Sequence, residues 1–351
     1  MLATEATIVS LGVGAVTALA AVPVAQHVAW RTGFLDQPVG YKKHGRATPY
    51  LGGVAVVLAF VVAAVSLGEG GGRFLPVVLS AVGLCLVGTV DDRVNLSPWV
   101  RVGATVAAGV GLWVGDLGWN VFAGSVLDFV LTVVWVLGLV NAFNLMDNLD
   151  GAAGSVTAAA GVGIGAFALV NDDGALAAAA FGLVGACLGF LRFNLARPAR
   201  IFLGDGGSMS IGFIVAALAI AAAPVEDLGR GSVLVAALLV GLVILDTTLV
   251  TISRRRRGAP LMTGGRDHLT HRLLDAVGSA RGVAGTLAVV QLSLCALALA
   301  ASGLGRMAVL WIAAAAVIAG IGAIAALEAR MGRLEWEAAV RAGRLASAER
   351  E

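Results

Sequence analysis

The chain has 351 residues, 59% of them hydrophobic and only 13% charged, with a formal charge of +2. Soluble domains run about 25% charged and 45–50% apolar, so so little charge cannot cover a chain of this size in water. Composition therefore leaves a polytopic membrane protein, and three cysteines inside apolar runs without CxxC spacing, Cys85, Cys187 and Cys295, argue against a disulfide framework or a zinc site.

In chain order, eleven apolar stretches approach the roughly 20 residues needed to cross a hydrocarbon core. They lie at 6–29, 50–68, 75–91, 100–116, 121–141, 152–170, 175–191, 208–224, 232–251, 283–303 and 306–327. The first has no basic stretch before it and no convincing cleavage site, and reads as a retained helix. Several are rich in Gly and Ala, which favours close helix packing. The expected fold is an all-α polytopic membrane protein with about 11 transmembrane helices. An odd count puts the termini on opposite sides, and Lys and Arg decide which. Segments 31–49, 91–101, 141–151, 192–207 and 252–282, with the tail from 328, hold 21 of the 24 Lys and Arg; Arg73, Arg230 and Arg306 remain for the other loops. That bias puts the N-terminus outside and the C-terminus in the cytoplasm. Residues 1–327 are expected to form a single transmembrane catalytic domain. Residues 328–351, with Arg and Glu around Leu334 and Trp336, read as a cytoplasmic helical tail: solvated, lying on the membrane, or forming a homodimer contact.

The unusual residues all fall on the basic side. "VDDRVNLSPWVR" sets Asp91 and Asp92 where a helix leaves the membrane, a costly place for a carboxylate unless it is paired or bound to a cation. Neighbours on a helix point about 100° apart, so the two are expected to have different partners. In "NAFNLMDNLDG", Asn141, Asn144 and Asn148 follow i, i+3, i+7 spacing and share a helical face, with Asp147 close to it. Asp150 precedes Gly151 and is expected to cap the next helix. Amides running back into an apolar stretch are expensive unless met. "FLGDGGS" immediately precedes a span, so its backbone N–H groups offer a seat for phosphate at a positive helix end. Asp205 in its middle would repel an anion unless it holds Mg²⁺, which takes one or two carboxylates together with phosphate oxygens and water. In the basic loop, Arg254 to Arg257 suit an anchor to anionic lipid. In "DHLTHRL", His268, His271 and Arg272 stand three and four apart and are placed to meet an anion together. Asp246, near the inner end of the ninth span, belongs with this set. Asp128 lies toward the outer third of its own span. Together these parts suit a phosphorylated, metal-bound substrate meeting a membrane-embedded partner, because phosphoryl transfer is mostly positioning and neutralisation of charge.

These residues resemble the polyprenyl-phosphate N-acetylhexosamine-1-phosphate transferases of glycosyltransferase family 4 type. The family pattern has a DD pair after the third span, an NxxNxxDGxDG stretch after the fifth, an FxGDxGS loop and a histidine motif ending in HR; "KKHGRATPYLGG" is similar to its first-loop motif. The resemblance runs from about residue 35 to 275, in the same order. It implies that a polyprenyl phosphate attacks the β-phosphorus of a UDP-N-acetylhexosamine, that UMP leaves, and that Mg²⁺ (or Mn²⁺ in its place) is required. By motif position Asp205 would be the principal metal ligand, with Asp91 and Asp92 by the lipid phosphate and metal. Asn144, Asp147 and Asp150 would line the nucleotide site. Lys42, Asn194 and Phe202 would hold the uridine, with Phe202 stacking on the base. His268, His271 and Arg272 would contact the diphosphate or the sugar. The resemblance further implies the bacterial plasma membrane, with an active site on the cytoplasmic face, and the branch handling UDP-N-acetylglucosamine; no nucleic acid partner is expected. A phosphate monoester has a second pKa near 6, so the lipid phosphate is already nucleophilic, which favours metal binding and positioning over proton abstraction for Asp91 and Asp92.

Two positions depart from the pattern. Asn148 replaces a glycine, which Asn tolerates. Thr270 stands where the middle histidine of HxHHR often lies, which argues against the relatives using UDP-MurNAc-pentapeptide. A transporter is the reading from another class, but transporters place polar sites near the midplane, on broken or repeated helices. The DGxxAR pattern of CDP-alcohol phosphotransferases does not occur.

Overall fold

The structure, a computed structural model, describes residues 3–37, 47–66, 72–223, 225–260, 265 and 267–348. It is built almost entirely of helices. These are α1 (Ala3–Thr32), α2 (Gly52–Val65), α3 (Leu75–Val94), α4 (Pro98–Val114), α5 (Val126–Met146), α6 (Ala152–Val170), α7 (Gly174–Asn194) and α8 (Gly204–Ala222). They are followed by α9 (Val225–Leu228), α10 (Ser232–Leu239), α11 (Gly241–Arg257), α12 (Leu269–Val277), α13 (Ala280–Gly303) and α14 (Arg306–Ala348). Among the described residues the only strands are β1 (Leu35–Asp36) and β2 (Thr48–Pro49), an antiparallel pair between α1 and α2.

Each predicted apolar stretch is helical, and the starts follow local chemistry. Ser97, Ser125, Asp173 and Ser279 accept the first free amides of α4, α5, α7 and α13, the ordinary use of a short polar side chain at a helix start. Among the described residues eight helices are long and apolar enough to cross a membrane, so the chain is an all-α polytopic membrane protein. Burial sorts them into layers. The most apolar windows of α6, α7 and α8 are 78%, 78% and 89% buried, whereas those of α1 and α14 are only 22% and 17% buried. The interior is thus α8 with its neighbours, and the outer helices keep apolar faces for lipid. Small residues permit the closest crossings, as expected of membrane bundles. A methyl added at Gly189 of α7 would stand 2.6 Å from Ala18 Cβ and 2.8 Å from the Ala15 carbonyl oxygen of α1.

One expected span is changed by the fold. The stretch 232–251 is not one straight helix: α10 and α11 meet at Val240 with a bend of 76°. Backbone groups freed by such a break need partners in an apolar interior, and Gln291 of α13 supplies them. Its side-chain oxygen accepts from Leu242 N at 3.1 Å, and its amide donates to the Leu239 carbonyl at 2.8 Å. The backbone groups freed at the break are therefore met by a side chain of the protein itself. Residues 328–348 are helical and continue α14 without interruption.

The ends of the bundle differ. At one, Arg73 pairs with Asp173 at 2.6 Å and Arg230 stacks over Phe122. Asp128 is also placed there, not as a lone mid-span charge but accepting from the amides of Val121, Phe122 and Gly124. The motif-bearing segments gather at the other end. The 201–203 segment is stitched to the first loop by Phe202 N to the Pro49 carbonyl (2.8 Å), Gly52 N to the Phe202 carbonyl (3.0 Å) and Gly53 N to the Leu203 carbonyl (2.8 Å).

Candidate active site

Four helix ends build an acidic centre. The last turn of α3 carries Asp91 and Asp92, α4 begins with Arg101 in its first turns, α5 ends at Asn144 and Asp147, and α8 begins with Asp205. The predicted divergence of the two α3 carboxylates is observed. Asp91, 5% exposed, accepts from Leu96 N at 2.5 Å and pairs with Arg101 Nη1 at 3.1 Å. Asp92 turns to α8 and accepts from Asp205 N at 3.0 Å and Gly206 N at 3.5 Å. Arg93 points elsewhere, donating to the Thr32 carbonyl and stacking over Phe34.

Asp92 thereby corrects the reading of "FLGDGGS" as a phosphate seat. The GDGGS residues are the first turn of α8, not a loop, and two of the amides at its positive end, Asp205 N and Gly206 N, already meet a carboxylate. An anionic side chain at a helix N-terminus is favoured by both the free N–H groups and the helix dipole. The glycines serve contact. Gly204 has φ +75°, and a Cβ there would sit 2.6 Å from Asp92 Oδ2. A Cβ on Gly88 would come within 2.5 Å of the Asp205 carbonyl carbon and Gly206 N, so α3 and α8 meet backbone to backbone.

The asparagine stripe resolves into three separate roles. Asn144 donates to Asp205 Oδ1 at 2.9 Å and to Ser208 Oγ at 3.0 Å. Asn141 is exposed and bonds back to the Leu137 carbonyl. Asn148 lies beyond the end of α5, because Met146 is its last helical residue and Asp147 its C-cap. Its side-chain oxygen accepts from Thr270 Oγ1, so the two positions that depart from the family pattern are bonded to each other. Asp150 does not cap α6; Gly151 holds that position with φ +81° and no side-chain cap bond. Burial lifts the Asp147 carboxyl well above the usual carboxylate range, and the charges of Asp205, Asp92 and Asp150 add to the effect.

Arg101 is the cation paired with this centre among the described residues: its Nη1 is 3.1 Å from Asp91 and 3.5 Å from Asp205 Oδ2. It was missed in the sequence, although a lone arginine opening an apolar helix ten positions after a DD pair is the signal to look for. No three acidic, histidine or cysteine side chains among the described residues form a ready cation cage. Magnesium does not need one, since substrate phosphates and water complete its shell. The donors here are all oxygens, Asp205 is 34% exposed, and Asp91, Asp92, Asp147 and Asp205 outnumber the single paired arginine. The residues present fit a hard divalent cation.

Behind Phe202 lies a cleft of about 1090 Å³ lined by Asp150, Arg192, Arg197, Arg200, Phe202 and Arg281, among others. Phe202 and Asp150 both line it, whereas Asn194 is not among its lining residues. Asn194 is 5% exposed, accepts from Gly151 N at 2.6 Å and donates to the Ile201 carbonyl at 2.9 Å, clamping α6 to the 201–203 segment. Lys42 lies outside the described residues.

The histidine segment is held by a buried network. His268 Nδ1 lies 3.0 Å from Asp246 Oδ2, and Leu269 N donates to Asp246 Oδ1 at 2.7 Å, so Asp246 does belong with this set. Arg272 donates to the Asp267 carbonyl, Ser253 Oγ and Glu328. His268 is the N-cap of α12 and bonds to Asp246 of α11, while Arg272 bonds to α11 and α14, so these two side chains have different protein partners. The Arg254–Arg257 run is not a uniform lipid anchor. Arg254 is 3% exposed and grips Asp267 with two bonds, of 2.7 and 3.1 Å; Arg257 reaches the same carboxylate, and only Arg255 and Arg256 stand exposed without such a contact among the described residues. Burial alone would raise the Asp267 carboxyl, but the Arg254 hydrogen bond and charge outweigh it and hold it below its ordinary value.

Fold and site together define an integral membrane protein with an acidic centre at one end of the bundle. The sequence profile of glycosyl transferase family 4 matches residues 74–223. A decaprenyl-phosphate N-acetylglucosaminephosphotransferase of Mycobacterium tuberculosis is 31% identical over 317 residues, covering 80% of this chain and 78% of that protein. The Mycolicibacterium smegmatis protein of the same name is 32% identical, covering 71% and 70%. The undecaprenyl-phosphate alpha-N-acetylglucosaminyl 1-phosphate transferase of Escherichia coli is 27% identical, covering 80% and 78%. The chain belongs to glycosyl transferase family 4.

Proposed function

We propose that the protein transfers N-acetylglucosamine-1-phosphate from UDP-N-acetylglucosamine to a polyprenyl phosphate. An oxygen of the lipid phosphate forms a bond to the β-phosphorus. The bond from that phosphorus to the bridging oxygen breaks, UMP departs with the electron pair, and a polyprenyl-diphosphate sugar stays in the membrane. The observation that carries this reading is the meeting of Asp91, Asp92, Asn144 and Asp205 at one end of an all-helical membrane bundle. The family and its relatives' names support it.

Asp205 and Asp91 would hold Mg²⁺, with Mn²⁺ a substitute. When bound, it would neutralise phosphate charge at the reacting centre. Asn144 orients Asp205 through its 2.9 Å bond, and Asp92 fixes the first turn of α8. Arg101 keeps Asp91 and Asp205 together. The arginine-rich cleft beside Phe202 and Asp150 suits a uridine nucleotide, with the aromatic ring for the base and cations for its phosphates. No base is needed for the lipid phosphate, which is mostly dianionic near neutrality because its second pKa is near 6.

The site would face the cytoplasm of a bacterial plasma membrane, since the Lys and Arg bias favours that side. Eleven crossings are supported by the eight long helices, the bent α10–α11 pair as a ninth, and the shorter apolar helices α2 and α4. The test is UMP release by the purified protein from UDP-GlcNAc, UDP-GalNAc or UDP-MurNAc-pentapeptide. Release with UDP-GlcNAc should require both polyprenyl phosphate and Mg²⁺. Release with UDP-MurNAc-pentapeptide alone would reassign the sugar, and vesicle uptake without UMP would replace the enzyme by a transporter.

A further inference from the structure

The last helix reaches the histidine segment through a single carboxylate. Glu328 of α14 accepts from Arg272 Nη2 at 2.7 Å, in a contact where the arginine is 6% and the glutamate 12% exposed. The same Nη2 donates to Ser253 Oγ at 3.0 Å, and Nε donates to the Asp267 carbonyl at 3.1 Å. A guanidinium carries five N–H donors in one plane. Nε and Nη2 account for three of them, and each goes to a different element: α14, α11 and the loop before α12. Nη1, with the other two, is buried and has no partner among the described residues. A buried cationic nitrogen without an acceptor is costly, and an incoming oxyanion is what would satisfy it.

We propose that Glu328 is a positioning residue for the donor diphosphate: it locks the Arg272 plane so that Nη1 is kept for a phosphate oxygen. This rests on the reading of the protein as a sugar-phosphate transferase. Removing the carboxylate leaves Nη2 only its Ser253 bond and loosens the guanidinium plane. Loss of orientation at a reacting centre costs about 10- to 100-fold, and it should fall on the donor. The anchors of the rest of α12 are separate, since Asp246 holds its N-terminus and Asn148 holds Thr270.

The experiment compares wild type, Glu328→Ala, Glu328→Gln and a chain ending at Met331, which keeps Glu328. UMP release is measured against UDP-GlcNAc and against polyprenyl phosphate, and melting is measured with and without inorganic pyrophosphate. E328A should raise KM for UDP-GlcNAc about 10- to 100-fold, leave KM for polyprenyl phosphate unchanged, and lose the pyrophosphate-induced rise in melting temperature. E328Q keeps an acceptor oxygen and should recover part of both; the shortened chain should match wild type. Wild-type kinetics for E328A, a loss spread evenly over both substrates, or a pyrophosphate shift equal in E328A and wild type overturns the proposal, as does a wild type that pyrophosphate does not stabilise. A wild type that releases no UMP, yet shows a pyrophosphate shift that E328A lacks, would sink the transferase reading and leave Glu328 in its role.

Discussion

Replacing Asp92 by Asn tests whether that carboxylate holds α8 or takes a proton. The substitution is nearly isosteric. One oxygen can still accept from Asp205 N, now at 3.0 Å, while the new NH2 group faces Gly206 N, already the weaker contact at 3.5 Å. Two contributions are lost. A charge at a helix N-terminus contributes about 0.3–1 kcal/mol, up to ~2 when partly buried. A hydrogen bond to a charged group is worth roughly 1 kcal/mol more than a neutral one. Together they come to about 1.5–3 kcal/mol, which at ~1.4 kcal/mol per tenfold is on the order of 10- to 100-fold. If that loss is felt at Asp205, kcat/KM for UMP release should fall by about this factor in D92N. Asp92→Ala removes both acceptors and should be worse by a further cap's worth, about 1 kcal/mol. The assay is UMP release against UDP-GlcNAc at several pH values. A loss of about 10⁴-fold in D92N together with a vanished pH limb would mark Asp92 as a general base, and unchanged kinetics would show that its cap does not matter.

Three further outcomes follow from contacts already described. Gly88→Ala places a methyl 2.5 Å from backbone atoms of Asp205 and Gly206, so α3 and α8 must separate; overpacking costs about 1–3 kcal/mol, and both melting temperature and UMP release should drop, whereas unchanged values would refute the tight crossing. Gln291→Leu strands Leu242 N and the Leu239 carbonyl at the α10–α11 break; at about 1–3 kcal/mol for each unmet group, thermal unfolding in detergent should begin clearly lower, and equal stability would mean that the break is satisfied in another way. The raised Asp147 carboxyl means that the folded state keeps a proton the unfolded chain has released. Stability of the metal-free protein should therefore fall as pH rises from about 4 through the raised folded value. Asp147→Asn should make that fall shallower, and parallel stability curves for the two proteins in chelator would contradict the assignment.

The sequence and the structure part company at identifiable residues. Apolar length located the long helices of the bundle, because a chain in lipid has no other way to meet its backbone hydrogen bonds, but not the short α9 and α12. Length cannot show a break at Val240, which depends on Gln291 arriving from α13, about 50 positions later in the chain. The asparagine spacing of α5 pointed to Asn144, but a helix ending at Met146 gave Asn148 to Thr270 instead. Glu328 read as part of a solvated tail, since nothing local in the sequence pairs it with Arg272.

The sequence by itself determined a membrane bundle and which end of it carries the polar motifs, because hydrophobic length and charge placement act locally and need no partner to be read. Only the tertiary structure decided what each of those polar groups does. A carboxylate such as Asp92 serves as a cap, a counter-charge or a ligand according to the helix end packed against it, and that neighbour, α8, lies more than a hundred residues further along the chain.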